Sequence, residues 1–131
     1  MTISNNEDAD GWPEQILHIA ERAEFERQND AGDVIVDPSL EREGFIHCST
    51  VDQVLIPANE RFEGRSGLVL LIIEVARLTS PLVYEDCYQS GRMFPHVYGP
   101  INLDAVVEVV NFPPKPDGGF DLPTELAAAD R

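Results

Sequence analysis

Leu68-Val69-Leu70-Leu71-Ile72-Ile73 is the longest purely apolar run in the chain, and Glu74 closes it. A run this short and this rich in branched residues reads as a strand buried on both faces, and so as the centre of a sheet. It is far below the roughly 20 residues of a membrane span. Outward from it, residues 16–20 (Ile-Leu-His-Ile-Ala) read as a first strand. A helical stretch follows over 21–28, closed by Asn29-Asp30-Ala31-Gly32. Residues 45–48 form a second strand. Thr50, with Gln53 three positions on, has the capping-box pattern and opens a helix toward Phe62, kinked or shortened by Pro57. Residues 82–85, 94–98 and 105–110 supply further strands. The class expected is α+β, with a mixed or antiparallel β-sheet and one or two helices.

The chain has 131 residues, one domain's worth, and is 43% hydrophobic. The domain is expected over 12–112, with a flexible acidic N-terminus at 1–11 and a Pro/Gly-rich tail at 113–131. Asp and Glu number 24 against 9 Lys and Arg, a net charge of −15. Such a field repels polyanions, so nonspecific nucleic-acid binding is not expected. The N-terminal residues show neither a basic segment nor an apolar one of signal-peptide type. The two cysteines, Cys48 and Cys87, stand in no CxxC spacing. The expectation is a reduced, cytoplasmic chain without membrane attachment; its oligomeric state stays open.

Alternation along a strand groups Ile16, His18 and Ala20 on one face, and Phe45, His47 and Ser49 on another. Phe94, His96 and Tyr98 share a third, so all three histidines sit in apolar, strand-like settings. The plain alternative for each is a buried ring satisfied by one or two hydrogen bonds. Glu85 is the acid best placed in a strand, whereas Glu41, Glu43, Glu60 and Glu63 read as surface charge. Arg61 and Arg65 flank the end of the main helix and Arg92 precedes Phe94. Guanidinium groups are what an anionic ligand would need. Cys48 points away from His47 by alternation, which speaks against a Cys–His pair. No nucleophile elbow, GxGxxG or P-loop is present. Three histidines are also the number of a His-based metal site with an open position, and their scatter along the chain leaves that reading open.

Gly44-Phe45-Ile46-His47-Cys48-Ser49-Thr50 and Phe94-Pro95-His96-Val97-Tyr98-Gly99-Pro100 together resemble a family of small bacterial proteins marked by GFIHCS and FPHIYGP motifs, with no assigned reaction. That family looks akin to ADP-ribosyltransferase-like folds, distantly including the tRNA 2′-phosphotransferases. The resemblance implies a split sheet with a cleft for NAD, taken as substrate, with no other cofactor and no metal implied. By it, His47, Glu85 and His96 are the catalytic positions, and His18, Ser49, Arg61, Arg92, Phe94 and Tyr98 bind substrate. Glu85 would steady an oxocarbenium-like ribose, and an arginine would hold the pyrophosphate. The chain lacks the family group's Arg…Ser-x-Ser…Glu-x-Glu set. The expectation is therefore a nucleotide-binding, ADP-ribosyltransferase-like transferase. The alternatives are a non-catalytic small-ligand or protein-interaction module and, third, a His-based metal hydrolase.

Overall fold

The computed structural model describes residues 12–32, 34–86 and 89–129. Cys87 and the ends 1–11 and 130–131 lie outside them. Six strands alternate with helices: β1 (Gln15–Glu21), α1 (Arg22–Asp30), α2 (Pro38–Glu43), β2 (Ile46–His47), α3 (Leu55–Arg61), β3 (Leu68–Glu74), β4 (Leu82–Glu85), β5 (Phe94–Val97), β6 (Val106–Asn111) and α4 (Thr124–Ala129). They form two three-stranded sheets, in the orders β1-β3-β6 and β2-β5-β4. Every pairing between these strands is antiparallel, with no parallel component of a mixed sheet. Reciprocal bonds between Leu17 and Ser49, 2.7 and 2.8 Å, stitch the two sheets together. His18 of β1 thereby stands next to the segment that carries His47.

β3 is the middle strand of its sheet, as its unbroken apolar run predicts. Val69, Leu71 and Ile73 face one core with Ile16, Ile46, Cys48 and Val97. Leu68, Leu70 and Ile72 face another, roofed by Val54 and Ala58. Both faces are dry, which is why no polar residue interrupts the strand.

Four helices are present among the described residues rather than one or two. α2 follows from a local pattern: the Asp37 carboxylate accepts from Ser39 N at 2.9 Å, Pro38 sits at the first helical turn, and Gly44 ends the helix at φ +91°. The helix expected from Thr50 begins later, at Leu55. Half of the capping box forms, since Gln53 Oε1 reaches Thr50 N at 3.4 Å. The Thr50 hydroxyl, however, donates to Asp52 at 2.5 Å. Pro57 has no N–H to give Gln53, so it fits only in the first turn of a helix starting at 55.

The stretch after Phe112 returns to the second core. Phe120 and Leu126 are buried there, and the rings of Phe112 and Phe120 stack at 4.7 Å. Packing thus extends past residue 112, the expected domain end. No helix among the described residues is long and apolar enough to cross a membrane.

Candidate functional site

Where the two sheets meet, a cleft of about 620 Å³ opens, lined by all three histidines of the chain. β1 supplies His18 and β2 supplies His47; β5 supplies Phe94 and His96. Ser49, Arg61 and Arg92 also line it, so seven of the nine predicted site residues converge there. His47 and His96 are register partners across β2 and β5, with ring centroids 5.4 Å apart. Glu85 and Tyr98 do not line the cleft; they reach it through His96.

Each imidazole has a nitrogen held by an oxygen of a neighbouring residue. His18 Nδ1 lies 2.8 Å from the His47 carbonyl. A carbonyl only accepts, so the proton sits on Nδ1 and the neutral ring keeps its lone pair on Nε2. Nε2 is 3.9 Å from Asp37 Oδ2. Burial pulls the His18 pKa below its ordinary value despite the bond to the His47 carbonyl and the Asp37 charge. His47 Nε2 donates to Glu43 Oε1 at 2.5 Å. Its pKa too is lowered, by partial burial first, against the pull of Glu43 and aided by the Arg61 charge.

His96 is fully buried, stacked on Phe45 with ring centroids 4.0 Å apart. Its Nδ1 donates to Glu85 Oε2 at 2.8 Å, and the Tyr98 hydroxyl donates to the same oxygen. Desolvation works against ionisation of Glu85, but these two bonds outweigh it and hold the carboxyl below the usual range. Asp37 behaves alike: burial pushes up, the Ser39 N–H and the nearby histidines pull down, and the carboxylate wins.

Electrostatics distinguish the cleft from the rest of the surface. In a chain of charge −15, it gathers Arg42, Arg61 and Arg92. The carboxylates that line it are Asp37, Glu43 and Glu60, of which the first two are engaged by histidines. Arg42, Asp37 and the role of Glu43 escaped the sequence reading. Glu43, taken as surface charge, is His47's partner because Gly44 turns the chain back at φ +91° and brings helix end and strand together. The Asp37-Pro38…Gly44 pattern was the signal for both α2 and its flanking acids. Arg65 pairs instead with Glu21 at 2.5 Å, outside this cleft.

The geometry bears on two further chemistries. Cys48 packs into the first core with its thiol pushed up by burial, the opposite of an activated nucleophile. Among the described residues, no group of three or more His, Cys, Asp or Glu is arranged to hold a metal ion, and His18 Nδ1, His47 Nε2 and His96 Nδ1 each bond an oxygen.

The chain belongs to the family described as "Protein of unknown function (DUF952)", which it matches over residues 19–109. No curated protein matches it. It is similar to protein CC0527 from Caulobacter crescentus, whose X-ray crystal structure is 32% identical and superposes with a TM-score of 0.74 over 86% of this chain and 98% of that one. The solution NMR structure of CC0527 gives the same TM-score at 30% identity, over 88% and 99% of the two chains.

Proposed function

We propose that this DUF952 member binds NAD or a related nucleotide in the His18–His47–His96 cleft and acts as an ADP-ribosyltransferase-like transferase. The observation that carries the reading is the convergence of three oriented imidazoles with three arginines in one cleft of a strongly acidic chain. Its volume, about 620 Å³, is in the roughly 300–1,000 Å³ range of small-molecule sites.

In this reading Arg42, Arg61 and Arg92 hold the pyrophosphate through planar bidentate contacts. The nicotinamide–ribose bond breaks through an oxocarbenium-like cation, which needs negative charge beside the ribose. Glu43 lines the cleft and supplies it, while His47 orients Glu43 and a ribose hydroxyl. Glu85 is a positioning residue: with Tyr98 it sets the tautomer and angle of His96. Phe94 offers the base a flat apolar contact.

Full burial of His96 favours a second reading, in which the cleft binds the nucleotide without turning it over. A thermal-shift titration separates the cases. NAD or ADP-ribose at 100 times its dissociation constant should add about 2.7 kcal/mol of stability. That shift should vanish in His47→Ala, whose half-buried side chain is not part of either core. Stabilisation without nicotinamide release supports the binding module; no shift with any nucleotide refutes both.

A further inference from the structure

A second hollow, of about 1140 Å³, adjoins the cleft. His18, Ile19, Asp37, Arg42 and Phe62 line both, so they form the boundary between them. The second hollow is walled by Ala20, Phe25, Ile35, Val36 and Leu40. Its charged rim is largely neutralised from within. Arg65 donates to Glu21 at 2.5 Å and Arg27 to Glu24 at 2.6 Å. The buried Gln28 spends its amide on Glu24 and on the Val36 backbone. The cleft therefore suits an anion, and the hollow suits an uncharged body with apolar surface.

His18 stands on the boundary. Its Nδ1 is committed to the His47 carbonyl, which leaves the lone pair of the neutral ring on Nε2, 3.9 Å from Asp37. A base placed between two adjoining hollows can take a proton from a group in one as that group attacks a ligand in the other.

Resting on the transferase reading above, we propose that the second hollow is the acceptor site. It takes a small uncharged alcohol with an apolar body, and His18 Nε2 receives the hydroxyl proton. The alcohol oxygen forms the new bond to the anomeric carbon of the ribose. The carbon–nitrogen bond breaks, its electron pair leaves on nicotinamide, and the proton passes from Nε2 to solvent. Asp37 stabilises the imidazolium in between.

Benzyl alcohol is the probe. In ¹H–¹⁵N spectra of the full chain, without nucleotide, it should shift the amides of Ala20, Val36 and Leu40. With NAD present it should divert product from ADP-ribose to the benzyl ADP-riboside. Val36 is 41% exposed, so Val36→Asp puts a carboxylate in the hollow without opening the core. This variant should weaken benzyl alcohol binding by about tenfold or more, since an apolar body then desolvates a charge. It should also lose ADP-riboside formation, with NAD binding and hydrolysis unchanged. Amide shifts located elsewhere, or wild-type ADP-riboside formation by Val36→Asp, would overturn the acceptor site. If NAD fails to bind while the alcohol shifts persist, the transferase reading and the His18 proton role fall, and the hollow stands as an alcohol site.

Discussion

His18, His47 and His96 are given three different settings by their neighbours: a backbone carbonyl, an exposed glutamate and a glutamate shared with a tyrosine. The first two rings have depressed pKa values, which fixes how stability depends on pH. A histidine whose folded pKa lies below that of the unfolded chain binds fewer protons when folded. Stability is then full above the unfolded value of about 6.5 and falls as pH drops through it toward the folded value. The melting temperature is expected to decline between pH 7.5 and pH 5, and the decline should shrink in His18→Gln. A flat profile in the wild type would contradict a buried neutral ring at His18. Asp37 and Glu85 act in a lower window, since their depressed pKa values give stability that is lost only as pH falls below the ordinary carboxylate range. Glu85→Gln should leave the fold intact and change the His96 imidazole shifts and tautomer more than it changes nucleotide affinity. An unaltered His96 spectrum would refute the positioning role.

Among the elements, α3 and the segment after Phe112 depend on each other. Asn59 bridges them: its Nδ2 donates to Leu55 O at 2.9 Å, and its Oδ1 accepts from Phe120 N at 2.8 Å. Asn59→Ala should cost about 1 kcal/mol and raise amide exchange at Phe120. Phe120→Ala should cost about 3–5 kcal/mol, the range for a buried aromatic, as read by denaturant unfolding. A loss below about 1 kcal/mol would mean that the segment contributes little. The periodic elements were legible in the sequence because their patterns are local: β3 through its unbroken apolar run, β1 through residues 16–20, α1 through its Asn-Asp-Ala-Gly stop. Less legible was what depends on distant partners. The proline- and glycine-rich spacing of 113–119 hides the fact that Phe120 meets Phe112, because that contact is set by the second core and not by neighbouring residues. α2 was missed for another reason: at six residues it shows too little periodicity, and only its ends, Asp37-Pro38 and Gly44, announce it. In the site, alternation correctly put His47 and His96 on faces opposite Cys48 and Val97. It had no means of showing that the Gly44 turn delivers Glu43 to His47.

At the scale of the whole molecule, charge and concavity act in opposite directions. A chain at −15 repels itself and any anion, yet its cleft concentrates arginines. Added salt should therefore do two things at once: screen the self-repulsion and raise the melting temperature, and weaken nucleotide binding at the arginines. Nucleotide affinity that is independent of salt between 0.05 and about 0.5 M, a span that shortens the screening length severalfold, would place the ligand away from Arg42, Arg61 and Arg92. Gly99 shows how closely the segments at the ends of β4 and β5 are fitted within the second sheet. It holds φ +153°, and a Cβ there would stand 2.5 Å from Ser80 Oγ, which itself bonds the Pro100 carbonyl at 2.6 Å. The bend that follows His96 and Tyr98 thus has room for no side chain.

The proposed nucleotide site joins three histidines on three strands. It is tested most directly by recording the imidazole ¹H–¹⁵N resonances of the full chain during titration with NAD. All three rings should shift together along one binding curve, and His47→Ala should abolish the response of His18 and His96. Resonances that stay in place at saturating NAD, or a response confined to one ring, would contradict it.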